Sequence, residues 1–248
     1  MHKVYFRFYE ELNDFLPGPK KKKHFEHYYT DKASVKDMIE SLGIPHTEID
    51  LILVNGKSVD FNYVTKDNDN VSVYPVFESI DISDVQHLRP KPLRRPKFIL
   101  DVHLGKLARS LRMLGFDTLY SNCYSDSEIV DISINENRTI ITRDKGILKQ
   151  TKVTHGYYIR SKEEMNQTKE VISRFHLLKD IKEFTRCLLC NGLLRPIKKE
   201  AVINQIPAKV ARWKDKYFKC QNCNKIYWQG THHHKMKSFI QSIKNIEL

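Results

Sequence analysis

The chain has 248 residues, 40% hydrophobic and 29% charged, a composition of folded protein and not of a disordered tail. No stretch reaches the roughly 18 apolar residues of a membrane span, and the opening MHKVYFRFYEEL lacks the apolar core of a signal peptide, so a cytoplasmic protein with no membrane partner is expected. The formal charge of +12 is concentrated, with fourteen Lys or Arg against four Asp or Glu in residues 181–248, which fits either a polyanion-binding surface, nucleic acid first, or a solvated basic tail.

Residues 1–77 read as a small α+β domain. Lys3 to Phe8 alternate and are rich in aromatics, as a strand is, and residues 24–30 (HFEHYYT) form its hairpin partner across the turn PGPKKK. Ser34 opens the helix VKDMIESL, with Asp37 as the capping acid and Gly43 as the stop. Leu51 to Val54 is a buried strand before an Asn-Gly turn, and Val71 to Val76 is the last strand. The order strand, strand, helix, strand, short strand is that of a β-grasp. Ser34-Val-Lys-Asp37, Leu51-Ile-Leu-Val-Asn-Gly56 and Asp69-Asn-Val-Ser-Val-Tyr-Pro75 resemble the ubiquitin-like, sulfur-carrier-like domains. Those carriers end in a free Gly-Gly, whereas here the strand runs on into VFESIDIS. A modifier role is therefore disfavoured, and an embedded module that binds a protein partner is expected.

Residues 78–96, with RPKPLRRP, read as an extended Pro/basic linker. From 97 to 180 strands and helices alternate. Lys97 to Val102 is a strand; Leu104, Leu107, Leu111 and Leu114 mark a helix closed by Gly115; Asp117 to Tyr120 is a second strand. Ser125 and Glu128 are spaced as the capping box of the next helix, Arg138 to Thr142 is a β-branched strand, and Lys145 to Lys149 is a short helix. Gly156 to Arg160 is a strand, and Glu163 to Leu178 a helix. This alternation predicts right-handed crossovers and a three-layer parallel sheet, so the whole chain reads as an α/β and α+β multidomain protein. Residues 232–246 read as a final basic helix.

Asp101 and Asp144 each end a predicted parallel strand, the edge at which open α/β sheets bind ligands. Asp126 opens a helix at the same edge, followed by Glu128. Clustered carboxylates repel one another unless a cation neutralises them, and hard oxygen ligands suit Mg²⁺ or Mn²⁺. Asp101, Asp126 and Asp144 are accordingly the expected catalytic metal ligands, with Glu128 in an outer-sphere or second-metal role. Asp126 also fits a residue that only favours the helix dipole, and Asp144 an N-cap. Lys106, Arg109 and Arg112 recur every third residue opposite the leucine stripe, as a phosphate track or as a solvated helix face. Arg143 and Lys145 flank Asp144 and either contact phosphate or balance the acid.

The strongest signal is Cys187-x-x-Cys190, then 29 residues, then Cys220-x-x-Cys223. Two knuckles supply four thiolates and leave no open position for water, which defines a structural Zn²⁺ ribbon within residues 181–248. Between and after the pairs lie Arg195, Lys198, Lys199, Lys209, Arg212, Lys214, Lys216 and Lys219, with Trp213, Tyr217, Phe218, Tyr227 and Trp228 among them. Such a mixture suits phosphate contact and base stacking on single strands; the aromatics fit the small core of the ribbon equally well, and Tyr227 and Trp228 read as that core. His232, His233 and His234 read as surface histidines, and Cys123 as an ordinary buried or loop thiol.

The runs DVHLGKLARSLRMLGFDTLY, SDSEIVDIS and RTIITRDKGIL, then HGYYIRS, FTRCLLCNGLL and KCQNCNKIYWQGTH, resemble in order the Mut-seven C-terminal ribonuclease family. The resemblance covers roughly residues 97–235 and implies a PIN-type nuclease fold with a frequent N-terminal ubiquitin-like companion. It also implies metal-dependent hydrolysis of RNA, single-stranded or structured, with Asp101 as the first-strand acid. Asp126 and Glu128 match the D-x-E element and Asp144 the T-R-D element. The alternative is a non-catalytic RNA-binding or adaptor protein that keeps the fold.

Overall fold

The computed structural model describes residues 1–75, 88, 96–230 and 232–245. The expected linker 78–96 lies outside the described residues apart from Leu88 and Pro96, as do Val76 and Ile246, the expected ends of a strand and a helix. The elements in chain order are β1 (His2–Phe8), β2 (Phe25–Tyr29), α1 (Val35–Ser41), β3 (Ile49–Val54), β4 (Lys57–Ser58) and β5 (Asn70–Pro75). There follow β6 (Lys97–Leu100), α2 (Gly105–Met113), β7 (Thr118–Leu119), α3 (Asp126–Glu136), β8 (Arg138–Thr142), α4 (Lys145–Lys149), β9 (Gly156–Tyr158) and α5 (Glu164–Arg174). The last are β10 (Leu194–Ile197), α6 (Ala208–Trp213), β11 (Tyr217–Cys220), β12 (Ile226–Trp228) and α7 (His232–Lys244). No helix among the described residues is long and apolar enough to cross a membrane.

Three sheets organise these elements: a mixed five-stranded sheet ordered β2-β1-β5-β3-β4, a four-stranded sheet ordered β7-β6-β8-β9, and a three-stranded sheet ordered β10-β11-β12. The β6–β7 and β8–β9 pairs are parallel. The chain forms two compact units, Met1–Arg95 with Asp126–Tyr158, and Pro96–Ser125 with Ile159–Leu248.

In the first unit, β1 buries Val4, Phe6 and Phe8 on one face while the intervening residues stay partly accessible, the period-two signature of a half-buried strand. These side chains pack with Leu12, Ile39, Ile44, Ile52 and Val73. The Ser34 hydroxyl accepts from the Asp37 amide at 3.1 Å, so the expected N-cap forms. Asn55 and Gly56 both take positive φ (51° and 79°), as the two-residue turn between β3 and β4 requires. The same unit holds β8, all five residues of which are buried, as a strand covered on both faces must be. His46 links the five-stranded domain to the segment before β9: Nδ1 meets Glu40 Oε1 at 2.7 Å and Nε2 meets the Val153 carbonyl at 2.8 Å. Glu48 Oε1 accepts from the Tyr158 amide at 2.6 Å. His46→Ala removes one buried and one partly buried hydrogen bond, and a loss of about 2 kcal/mol is expected in denaturant unfolding.

In the second unit, Phe98, Ile99 and Leu100 of β6 are fully buried, with Leu107, Leu111 and Leu114 beneath α2. Gly115 ends α2 at φ +98°, and a Cβ there would lie 2.3 Å from the Lys182 carbonyl, so both conformation and space demand glycine. Sequence periodicity overran one helix. α5 stops at Arg174 instead of continuing to Leu178, because His176 turns left-handed at φ 51° and the chain re-enters as a 3₁₀ turn that buries Leu177. Likewise β9 ends at Tyr158, before the expected Arg160.

Candidate metal centre and basic surface

The two cysteine pairs meet. Cys187 and Cys223 sulfurs lie 3.7 Å apart, Cys190 and Cys220 sulfurs 3.4 Å apart, and all four fall within 4.8 Å of one another. Among the described residues these four cysteines are a group of ligating side chains close enough to share one metal ion. Each knuckle aims amides at sulfur: Cys190 N–H at Cys187 (3.5 Å), and Asn222 and Cys223 N–H at Cys220 (3.4 and 3.5 Å). Amide donors of this kind stabilise thiolates. A Cβ on Gly192 would sit 2.8 Å from the Cys220 sulfur, so the first knuckle closes only over glycine. Against its burial, the Tyr227 hydroxyl at 3.0 Å and the knuckle amides hold Cys187 down to about 6. Burial and the neighbouring thiols push Cys190 up to about 12. Four packed sulfurs thus cannot all ionise unaided, and the donor set fits a soft or borderline divalent cation that would absorb their charge.

The ribbon is tied down by residues that the sequence pattern did not single out. Asn191 bridges to β7: its Nδ2 donates to Asp117 Oδ1 (2.8 Å) and its Oδ1 accepts from the Thr118 amide (3.0 Å). Arg186 pairs with Asp117 at 3.1 Å. The only sequence signal for Asn191 was its place after a knuckle cysteine, where its positive φ of 69° favours asparagine.

Arg112 departs from the expected phosphate track. It is buried, with Nε donating to the Thr118 carbonyl (2.8 Å) and Nη1 to the Leu188 and Leu189 carbonyls (3.3 and 2.8 Å). Three-residue spacing drifts around a helix of 3.6 residues per turn, so Arg112 rotates under the knuckle while Lys106 and Arg109 stay exposed. Burial works against its positive charge, and the nearby Cys190 and Cys187 offset that. Arg112→Ala strands buried carbonyls at about 1–3 kcal/mol each. A fall of several °C in the thermal midpoint is expected, where Arg109→Ala leaves the midpoint unchanged.

The acids occupy distinct settings. Asp101 directly follows β6, is only 5% exposed, and its Oδ1 accepts from the His103 amide at 3.3 Å. Asp126 and Glu128 are exposed in the first turn of α3. Asp144 is exposed and caps α4, accepting from Gly146 N–H at 2.6 Å, so its N-cap role is real. Arg143 is half-buried. Lys145 is engaged within its own unit, its ammonium 4.9 Å from the Phe15 ring and 5.6 Å from the Tyr158 ring. Cys123 is exposed.

Around the ribbon, Tyr217 packs with Val202 and Ile206, and Trp228 lies against them as expected of ribbon core; Tyr227 is half-buried, with its hydroxyl on Cys187. Trp213 differs, being 76% exposed beside exposed Lys209, Arg212 and Lys216. His232 and His234 are exposed, and the His233 ring lies tilted against Phe184, with centroids 5.0 Å apart. Lys237 and Lys244 both bond Glu183, which holds that carboxyl below its usual 4.5. A lowered acid stabilises the folded state above its unfolded value and loses that contribution as pH falls through the lower one. Helicity of α7 is therefore expected to decline below about pH 4.5 in the native chain, and Glu183→Gln to flatten that acid limb.

A mixed five-stranded sheet, a parallel α/β sheet and a four-cysteine cluster that could hold a metal define a multidomain protein. Residues 96–240 match the Mut7-C RNAse domain and residues 1–81 the Mut7-C ubiquitin domain. The chain belongs to the Mut7-C RNAse family, with the ubiquitin-like domain of that family preceding the RNAse domain. No curated protein and no solved structure matches the chain.

Proposed function

We propose that this protein is a metal-dependent ribonuclease that hydrolyses RNA phosphodiester bonds. The observation that carries the reading is the match of the Mut7-C RNAse domain to residues 96–240. It is supported by Asp101, a carboxylate kept 95% from solvent at the end of a buried strand, where a charge is costly unless it serves a purpose. Asp101, Asp126 and Asp144 would hold Mg²⁺ or Mn²⁺, with Glu128 in an outer-sphere role. Such an ion supplies an activated water and charge neutralisation at the attacking and leaving oxygens. The chain's own work is to present the carboxylates, to hold Asp144 through the α4 cap, and to lead RNA phosphates over Lys106, Arg109 and Arg143. The four cysteines would bind Zn²⁺ as a structural ion, and the ribbon would grip RNA through Trp213 and its basic neighbours. The ubiquitin-like domain is proposed as the contact for a protein partner, in the cytoplasm.

The test is cleavage of labelled single-stranded and hairpin RNAs by protein dialysed free of Mg²⁺ but retaining its zinc. Cleavage restored by Mg²⁺ or Mn²⁺ is expected. RNA binding with no cleavage under either ion would replace the reading by the adaptor alternative.

A further inference from the structure

A cavity of about 310 Å³ opens beside the ribbon, in the second unit. Phe184, Phe218, Trp228 and His233 line it together with the aliphatic Leu194 and Met236. That volume lies at the small end of ligand pockets, suited to one ring system and not to a folded partner. Phe184 reaches the cavity from a left-handed backbone at φ 55°. A bulky side chain in that region is strained and persists where the surroundings over-determine it. Here the Phe184 amide is fixed on the Met113 carbonyl at 2.9 Å, and the ring is flanked by His233 and by Lys237 at 5.6 Å. The carboxylate at the rim, Glu183, is neutralised by Lys237 and Lys244.

Next to the cavity, and sharing Met236 with it, runs a groove of about 330 Å³ lined by Lys106 and Arg109 of α2 and Lys235 of α7. All three cations are exposed. The acid in that groove, Glu164, accepts from Ser110 at 2.6 Å. An aromatic cavity for one ring, adjoining a cationic groove across Met236, is complementary to a nucleotide: the base stacks and the phosphates follow the cations.

We infer that this cavity receives one unstacked base of single-stranded RNA, with the adjoining phosphates lying over Lys106, Arg109 and Lys235. The choice of RNA rests on the ribonuclease reading; the pocket itself rests on the aromatic lining and the shared basic groove. Trp228 then has two faces, one packed on the ribbon core and one offered to the base, and α7 becomes part of the RNA-binding surface. Duplex RNA offers no free base and would not fill the cavity.

Trp228 reports directly. The chain has two tryptophans, and Trp213→Phe keeps a ring that can stack at that position while leaving Trp228 as the sole tryptophan. In that background, with no divalent cation added, an adenosine decamer is expected to quench Trp228 saturably. A perfect RNA duplex and inorganic tripolyphosphate are expected not to. Lys106→Glu with Lys235→Glu should weaken decamer binding at least tenfold and flatten its salt dependence by about two phosphate contacts. Met236→Phe should abolish quenching while anisotropy still detects weakened binding, with zinc content and circular dichroism unchanged. Decamer binding seen by anisotropy with unchanged Trp228 emission would overturn the assignment, as would equal quenching by the duplex or by an acidic peptide. Saturable quenching in a protein that cleaves nothing would leave this pocket standing and remove only the ribonuclease reading. Metal-dependent cleavage without quenching would do the reverse.

Discussion

Cys220→Ser is expected to abolish metal retention and unfold the ribbon. Cys220 is fully buried, its sulfur accepts two knuckle amides, and it lies 3.4 Å from the Cys190 sulfur. The binding free energy of a structural zinc, about 10–16 kcal/mol, is folding free energy. That equals or exceeds the whole stability of an ordinary domain, about 5–15 kcal/mol. The loss should spread beyond the ribbon, because Arg112 and Asn191 bond the first knuckle to α2 and β7. Elemental analysis should give one zinc per native chain and none in the variant, with a much earlier unfolding transition. Cys123→Ser is the matched control, since that thiol is exposed and outside the cluster, and it should change neither quantity. Full zinc content in Cys220→Ser would contradict the ribbon as described.

The second large effect concerns the acids, and it should be graded. Asp101→Asn replaces a carboxylate that is almost wholly buried, so no solvent ion compensates for the lost charge. Asp144→Asn keeps an oxygen that can still accept from Gly146, so the α4 cap survives while the charge is lost. Each is expected to lower metal-dependent cleavage by about a thousandfold, equivalent to several kcal/mol of transition-state stabilisation. Glu128→Gln, exposed in the first turn of α3, should cost about tenfold. All three should keep their zinc and their unfolding midpoints, which separates lost chemistry from lost structure. Equal losses across these variants and an exposed control such as Glu163→Gln would mean that the acids carry no special role.

Much of the fold was legible because local patterns coincided with burial. The alternation of Val4, Phe6 and Phe8, the all-buried RTIIT run, the Ser34 cap and the Asn55-Gly56 turn each signal their element within a few residues. The cysteine spacing worked for the same reason: each knuckle is a local turn, and only their meeting is long-range. What the sequence hid depends on packing between distant segments. Arg112 looks like its neighbours Lys106 and Arg109 until the first knuckle covers it. Histidine favours the left-handed turn only weakly, too little to outweigh the helical periodicity around His176, so α5 reads longer than it is. Lys145 reads as a phosphate contact until Phe15, far away in sequence, is placed under its ammonium. The pocket around Phe184 and Trp228 was invisible because its lining comes from the ribbon strands, from α7 and from the strained segment before the first knuckle.

RNA cleavage should separate the native chain from Asp101→Asn/Asp144→Asn when the two are purified side by side with zinc intact. Both are assayed in Mg²⁺, in Mn²⁺ and with neither. Cleavage by the native chain alone, and only with an added divalent ion, is the expected result. Equal cleavage by both proteins would contradict the assignment of the chemistry to these carboxylates.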